Sequence, residues 1–404
     1  MMNRRRFIKK TVGSLVALSG WSVLQPSVLA ANLVATDNRK SIILDAIDGK
    51  KPLIKQTFRA PNYETPVNYF NEAFTPNDVF FVRYHHARIP KVNVHDWRLT
   101  VAGDTPLAKP LEFTLAQLRK DFEIVEIAAL CLCSGNRRSL FQPPVSGVQW
   151  GSGALGNARW RGVRLRDVLN KAGIDKNAVE VSFDGTDSGL LKATPDFIKS
   201  LPLAKALDEN TLIAFEMNGE PLPHWNGFPA RLIVPGWVAT YWIKHLGGIH
   251  VMSKPSDNFW MQTAYRLPKD KFTAEQFNSQ VSETTVPITN IVVNSLISNL
   301  TDGQVINGVK ALEIKGVAWD DGAGIKGVEI STDAGNRWQP ATLMQDYGRF
   351  SWRQWHYSFT PNAGEYTIMV RASSQSGVSQ PLEAVANPSG YHHNAVQKIT
   401  IKVI

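Results

Sequence analysis

The chain has two cysteines among 404 residues, and both fall in "CLCSGNRRS" at 131–139. An even cysteine count in an exported protein ordinarily points to a disulfide. Here "VEIAALCLC" (125–133) predicts one extended strand, in which residues i and i+2 share a face roughly 6.5 Å apart with Cβ vectors poorly aimed for bridging. One or both thiols therefore stay reduced, and such a thiol is either a small buried hydrophobe or a metal ligand. Cys131 lies inside the apolar run and reads as core. Cys133 ends the run, and the turn Ser134-Gly135-Asn136 after it lets the backbone bend around a bulky ligand. Arg137 and Arg138 follow within five residues, and nearby cations favour the thiolate, the form that binds metal. Neither a C-x-x-C zinc pattern nor the C-x-x-C-H of attached haem is present.

Cys133 must be positioned by the elements around it. Apolar runs predict strands at 79–84, 124–133, 179–183, 212–216 and 231–234. Helices are predicted at 114–121, 164–172 and, with Thr194 as N-cap and Pro195 in the first turn, at 195–199. Lys199, ending that last helix, reads as an ordinary cation against which a functional arginine can be compared. Helices and strands do not alternate regularly, so the class is α+β rather than a doubly wound sheet. The stretch after Tyr265, "RLPKDKFTAEQFNSQVSETTVPITN", is polar, and beyond it short alternating runs at 311–317, 327–331 and 365–371 predict an all-β sandwich with a hairpin around 333–336. The expected organisation is a site-bearing domain over 40–275 and a sandwich over 286–404.

Residues 1–30 read as an export signal. Arg4, Arg5, Arg6, Lys9 and Lys10 precede a mildly apolar run at 11–24 and the small-residue end Val28-Leu29-Ala30, too short for a span of roughly 20 apolar residues. The arginine pair with Phe7 resembles the twin-arginine signal, which exports folded, commonly cofactor-loaded proteins. A periplasmic protein with no membrane span after signal removal is expected. The chain has 44 Lys and Arg against 35 acids, a net +9; without the five signal cations it is 39 against 35, or +4. So mild an excess does not call for nucleic acid, and suits a small anionic substrate or an acidic partner.

"CSGNRRS" resembles the molybdenum-ligand segment, C-[AS]-G-N-R-R, of the sulfite oxidase family of molybdopterin oxidoreductases. Further segments are similar in the family's order: "FFVRYHHARIP" at 80–90, "FDGTD" at 183–187, "EMNGEPLPHWNGFPARLIVPGW" at 216–237, "WIKHL" at 242–246 and "FWMQTAY" at 259–265. "VEISTDAGNRWQ" and "SWRQW" are similar to its immunoglobulin-like dimerisation domain. The resemblance implies a molybdopterin-binding domain followed by that sandwich, one molybdenum–molybdopterin cofactor per chain with Cys133 as metal ligand, and oxidation of sulfite to sulfate.

Residue by residue, the resemblance makes Arg83, Cys133, Arg138 and Tyr265 the catalytic groups. Two guanidinium forks suit an oxyanion, and the tyrosine hydroxyl would reach the substrate. It places Phe81, Val82, Arg83, Tyr84 and His85 against the cofactor, and in that strand period two puts Arg83 and His85 on one face. It adds Asp187 as a pterin contact, Arg231 and Lys244 as cofactor-binding cations, and Trp242 and Ile243 beside them. His224 belongs to the same set only if two extra residues, Trp225 and Asn226, bulge out before Gly227.

Vertebrate members add a haem domain. The roughly fifty residues between the signal and Phe80 show no His-Pro-Gly-Gly signature, so no haem is expected in this chain. The resemblance to bacterial sulfite dehydrogenases implies a periplasmic cytochrome c as acceptor, taking two electrons one at a time. A homodimer through the sandwich, with Trp338, Trp352 and Trp355 as aromatic anchors, stands beside a heteromer with a cytochrome subunit. The sandwich is expected to contribute no site residue. Two other readings stay open: a nitrate or sulfoxide reductase of the same cofactor family, and an exported binding protein without enzymatic activity.

Overall fold

The strand that carries the cysteines, Ile124–Leu132, pairs antiparallel with Leu155–Arg164 along its whole length, from Ile124 against Val163 to Leu132 against Leu155. Leu155–Arg164 pairs in turn with Leu212–Met217, against which Arg231–Ile233 also lies. Apolar side chains on the inner faces of these strands fill the main core around Trp160, Leu155 and Ile213. The computed structural model describes residues 42–104, 110–175, 177–268, 285–308 and 310–404. The predicted export segment and the middle of the polar link after Tyr265 lie outside the described residues.

A second sheet runs in the order Lys199–Pro202, Glu180–Gly185, Leu246–Met252, Leu99–Gly103 and Leu111–Phe113, and a small four-stranded sheet ends on Val82–Arg83. The helices are short. Leu115–Asp121 starts where Thr114 and Gln117 close a capping box, and Leu165–Ala172 buries Leu165, Val168, Leu169 and Ala172, one face at helical spacing. The C-terminal residues form a four-stranded and a five-stranded sheet packed around Ile314, Ile330, Trp355 and Ile399. The architecture is an α+β domain followed by a β-sandwich. Among the described residues no helix is long and apolar enough to cross a membrane.

Two local readings are corrected. Residues 195–198 are not helical, and Lys199–Pro202 is a strand pairing with Glu180–Gly185. One turn of helix gains little by itself, whereas the extended path stacks Phe197 on His85 at 3.6 Å and buries Lys199. The strand expected at 79–84 contracts to Val82–Arg83 because a turn closed by Val79 N to Pro76 O precedes it.

The sandwich is also less separable than its texture suggests. Leu296, Val317, Trp319, Phe350 and Trp352 belong to the same buried cluster as Trp160 and Leu132. Leu130 N donates to Phe350 O (2.9 Å), which covers the outer edge of the cysteine strand. Trp352 and Trp355 are therefore not interface anchors. Trp352 donates from Nε1 to Ala73 O (2.9 Å), Trp355 is wholly buried within the sandwich, and Trp338 is faced by the Arg371 guanidinium at 4.4 Å. Trp355, on a strand's inner face, is packed by its own sandwich, whereas Trp352, just before that strand, packs on Phe70 across the domain junction.

Arg137 staples the two parts together. It is buried, with Nη1 donating to Asn294 Oδ1 and Nη2 to Ser295 O, both at 2.9 Å. Arg137→Ala is expected to destabilise the protein by about 3 kcal/mol, since a hydrogen bond to a charged group contributes roughly 1.5–3. Urea unfolding measures it, and a wild-type midpoint and slope would contradict the staple.

Candidate active site

Beyond Leu132 the cysteine strand ends in a tight reversal. Cys133 N donates to Ala154 O (2.9 Å), Asn136 N returns to Cys133 O (3.0 Å), and Asn136 Oδ1 accepts from Ala154 N (2.9 Å). Arg137 then takes a left-handed φ of 65°, so the two arginines diverge. Arg137 turns to the sandwich, so it is not the thiol-side cation that its spacing suggests. Arg138 folds back over Gly135, where a Cβ would stand 2.6 Å from Nη1 and Nη2, so any side chain there would push the guanidinium out of place.

Cys131 and Cys133 both line one cavity, as the alternation of the strand leads one to expect. Cys131 is buried core and cavity wall at once, a role beyond its reading as core alone. Its Sγ lies 3.8 Å from Arg231 Nη2, and burial pushes its thiol pKa up. On the opposite wall Phe81, Arg83 and His85 face the cavity. Val82 and Tyr84 alternate away from it into a cluster with Leu53, Tyr63 and Val79. They support the wall without lining it, and the Tyr84 hydroxyl is anchored on His245 Nε2 at 2.7 Å.

Asp187, Arg231, Trp242, Ile243 and Lys244 close one end. Arg231 donates to Asn226 O (3.0 Å) and Trp242 O (3.2 Å), and its buried Nε has no partner among the described residues. Burial, then the neighbouring Arg231, pulls Lys244 down to about 8, and burial raises the Asp187 carboxyl. Among the described residues none of Arg83, Arg231 and Lys244 has a carboxylate within 4.0 Å. Cations held this way favour an anionic occupant.

His224 does not line the cavity. The two extra residues form the turn His224–Asn226, closed at Gly227, and put Trp225 and Asn226 on the wall instead. The His224 ring packs on Trp225 and His245. Trp225 and Asn226 were visible in the sequence only as an insertion; Phe197, also on the wall, was hidden by the helical reading of its segment.

Tyr265 ends the cavity on the other side. It follows the helix Phe259–Gln262 with a left-handed φ of 58°, and its carbonyl accepts from Ile288 N at 3.0 Å. Its hydroxyl accepts from Arg83 Nη2 (3.4 Å) and pairs with His85 Nε2. Burial, then the Arg83 charge, holds His85 well below the usual histidine range, and burial raises the Tyr265 phenol. A neutral imidazole beside a protonated phenol lets Tyr265 donate to His85.

Arg138 stands beside Tyr265 rather than on the cavity wall, with Nε on Ser389 O (2.9 Å) and Nη1 on Val148 O (3.0 Å). Lys199 lies beneath Tyr265: Nζ donates to Trp260 O (2.6 Å) and is 5.5 Å from the Tyr265 ring, and burial lowers it to about 7.

Asp184, on the strand leading to Asp187, is pushed up from 3.8 to about 7 by burial and by the charges of Asp196 and Asp187. Between those values the folded chain holds a proton that the unfolded chain releases, so this group's contribution falls as pH rises from about 4 to about 7. Asp184→Asn is expected to gain about 1–3 kcal/mol on wild type across that window, allowing for solvent screening. Urea titrations at pH 4.5 and 7.5 measure it; an unchanged difference between the two proteins would contradict the assignment.

Residues 86–260 match the oxidoreductase molybdopterin binding domain family, and residues 285–404 the Mo-co oxidoreductase dimerisation domain family. The chain is 33% identical over 374 residues to the mitochondrial sulfite oxidase of Drosophila melanogaster, covering 88% of this chain and 63% of that protein. It is 32% identical over 399 residues to that of Mus musculus, covering 94% and 69%. The nitrate reductase [NAD(P)H] of Hordeum vulgare is 29% identical over 411 residues, covering 95% of this chain and 46% of that protein. Its fold is similar to that of the sulfane dehydrogenase SoxCD from Paracoccus pantotrophus, with a TM-score of 0.73 at 23% identity over 89% of this chain and 88% of that one.

Proposed function

Because the chain belongs to the sulfite oxidase family of molybdopterin oxidoreductases, we propose that its cavity binds one molybdenum–molybdopterin group and that the protein oxidises sulfite to sulfate. The observation that carries the reading is one partly buried thiol, Cys133, facing a cavity whose cations Arg83, Arg231 and Lys244 have no carboxylate within 4.0 Å among the described residues. Among the described residues no group of three or more His, Cys, Asp and Glu could hold a metal. A metal here takes Cys133 as its protein ligand and arrives with its other ligands, which fits a soft metal carried by a dithiolene.

Bound molybdopterin supplies the two-electron redox couple and the oxygen-transfer chemistry. Arg231 and Lys244 would hold its phosphate and pterin charge, and Asp187 would accept from its ring N–H groups. With Arg83 Nη1 held by Asn62 Oδ1 and Tyr84 O, Arg83 Nη2, Arg138 Nη2 and the Tyr265 hydroxyl would take the sulfite oxygens. His85 Nε2 accepts the hydrogen bond of the Tyr265 hydroxyl and would yield that place to a sulfite oxygen when the anion enters. Phe197 and Trp260, packed on His85 at 3.6 and 5.0 Å, exclude water from that side.

The wider reading is an exported, periplasmic enzyme that passes electrons singly to a cytochrome c. Residues 1–30 support export, and the match of residues 285–404 to a dimerisation family supports a homodimer or a cytochrome-bound heteromer. Sulfite-dependent ferricyanide reduction, with sulfate formed in proportion, tests the activity, and added cytochrome c tests the acceptor. Nitrate-dependent oxidation of a reduced viologen without any sulfite response would instead favour a nitrate reductase, the reading that similarity to the barley enzyme supports.

A further inference from the structure

One segment of the C-terminal sandwich reaches the substrate side of the site. We propose that residues 387–393 clamp the anion-binding groups, with Tyr391 as a positioning residue for both Arg138 and Tyr265. The proposal rests on the reading that those two groups meet sulfite.

The loop is built to hold one ring. Tyr391 N donates to Asn387 Oδ1 (2.9 Å) and Asn387 Nδ2 to Tyr391 O (2.8 Å), which fixes the backbone on both sides of the side chain. His392 N donates to Ser134 O (3.2 Å), tying the loop to the cysteine turn. Gly390 has φ 58°, and a Cβ there would stand 2.3 Å from Val145 Cγ2 and 2.9 Å from Arg138 Cγ. The loop therefore lies directly on the arginine side chain.

The Tyr391 ring then meets both groups. Arg138 Cζ lies 5.3 Å from its centroid, and the Tyr265 ring stacks on it at 5.5 Å and 23°. Tyr391 is 8% exposed, and its hydroxyl makes no hydrogen bond among the described residues, so the ring carries the role. With Nε on Ser389 O and Nη1 on Val148 O, only Nη2 of Arg138 is without a partner among the described residues. The clamp thus holds a long side chain in one orientation before the anion arrives, which removes the entropy cost of ordering it on binding. The same ring backs Tyr265, whose left-handed backbone is unusual for a bulky residue and persists only where surroundings enforce it.

The test compares Tyr391→Phe, which keeps the ring, with Tyr391→Leu in full-length holoenzyme at matched molybdenum content. Sulfite KM and kcat are measured, together with calorimetric Kd for sulfate, which requires no turnover. Tyr391→Leu is expected to raise both KM and sulfate Kd about tenfold with kcat changed about twofold, and Tyr391→Phe to restore both to within about threefold of wild type. Wild-type KM and Kd in Tyr391→Leu would overturn the clamp, as would a Phe variant as weak as the Leu variant. If Leu prevents folding, Tyr391→Met repeats the comparison. A tenfold loss of sulfate affinity in a protein that never turns over sulfite would uphold the clamp and defeat the activity reading instead.

Discussion

Cys133→Ser is expected to reduce the proposed sulfite oxidation to the rate without enzyme, and Cys131→Ser to keep most of it. A hydroxyl is nearly isosteric with a thiol but a poor ligand for a soft metal, so the fold and much of the pterin binding survive the first change. The structure separates the two thiols physically. Cys133 is only partly buried, just past the strand end where the chain turns away. Cys131 is 1% exposed one step back, with burial raising its thiol and Arg231 Nη2 donating to its sulfur. A serine at 131 can still accept from that arginine. Steady-state assays with molybdenum analysis of each variant decide the matter. Loss of turnover in Cys131→Ser with turnover kept in Cys133→Ser would reverse the ligand assignment.

The second large effect is on affinity. Arg138→Gln is expected to raise the sulfite KM about 10- to 100-fold, since a charge-assisted hydrogen bond contributes roughly 1.5–3 kcal/mol. The comparison must be an arginine away from the site. Lys199 does not serve, because it is buried beneath Tyr265 and its loss disturbs the site directly. Arg159 does: it is largely exposed and pairs with Glu126 at 3.2 Å. At matched ionic strength Arg159→Gln should leave KM within about twofold of wild type, as expected for an exposed pair. Equal KM values in the two variants would remove Arg138 from the substrate site.

Much of the fold was legible because its signals are local. The apolar run ending at Cys133, the Thr114–Gln117 capping box and the helical spacing of Leu165, Val168 and Leu169 each specify their element within a few residues. The segment 195–199 was misread because Phe197 and Lys199 answer to His85 and Tyr265, and no local pattern reports such contacts. Trp352 and Trp355 show the same limit. A tryptophan on a strand faces either core or solvent, and only the partner sheet decides which.

The site divides in the same way. Arg83 and Cys131 sit at strand positions that face the cavity, His85 and Cys133 continue the same alternation just past the strand ends, and Val82 and Tyr84 fall on the other face. The clamp could not be read from the sequence: Ser389 and Arg138 are 251 residues apart, joined by a hydrogen bond to a backbone carbonyl that no side-chain pattern encodes. Its dependence on the sandwich also means that removing residues after 285 would strip Arg138 of its support and, by taking Leu296, Trp319 and Trp352 out of the shared core, uncover N-terminal partners such as Phe70. That truncation tests stability rather than oligomeric state alone.

The most direct measurement is the molybdenum content of the full-length protein purified from a host that makes molybdopterin. One molybdenum per chain, released together with a pterin on denaturation, is the predicted result. A folded protein with no molybdenum and no pterin would contradict the assignment of the cavity and everything argued from it.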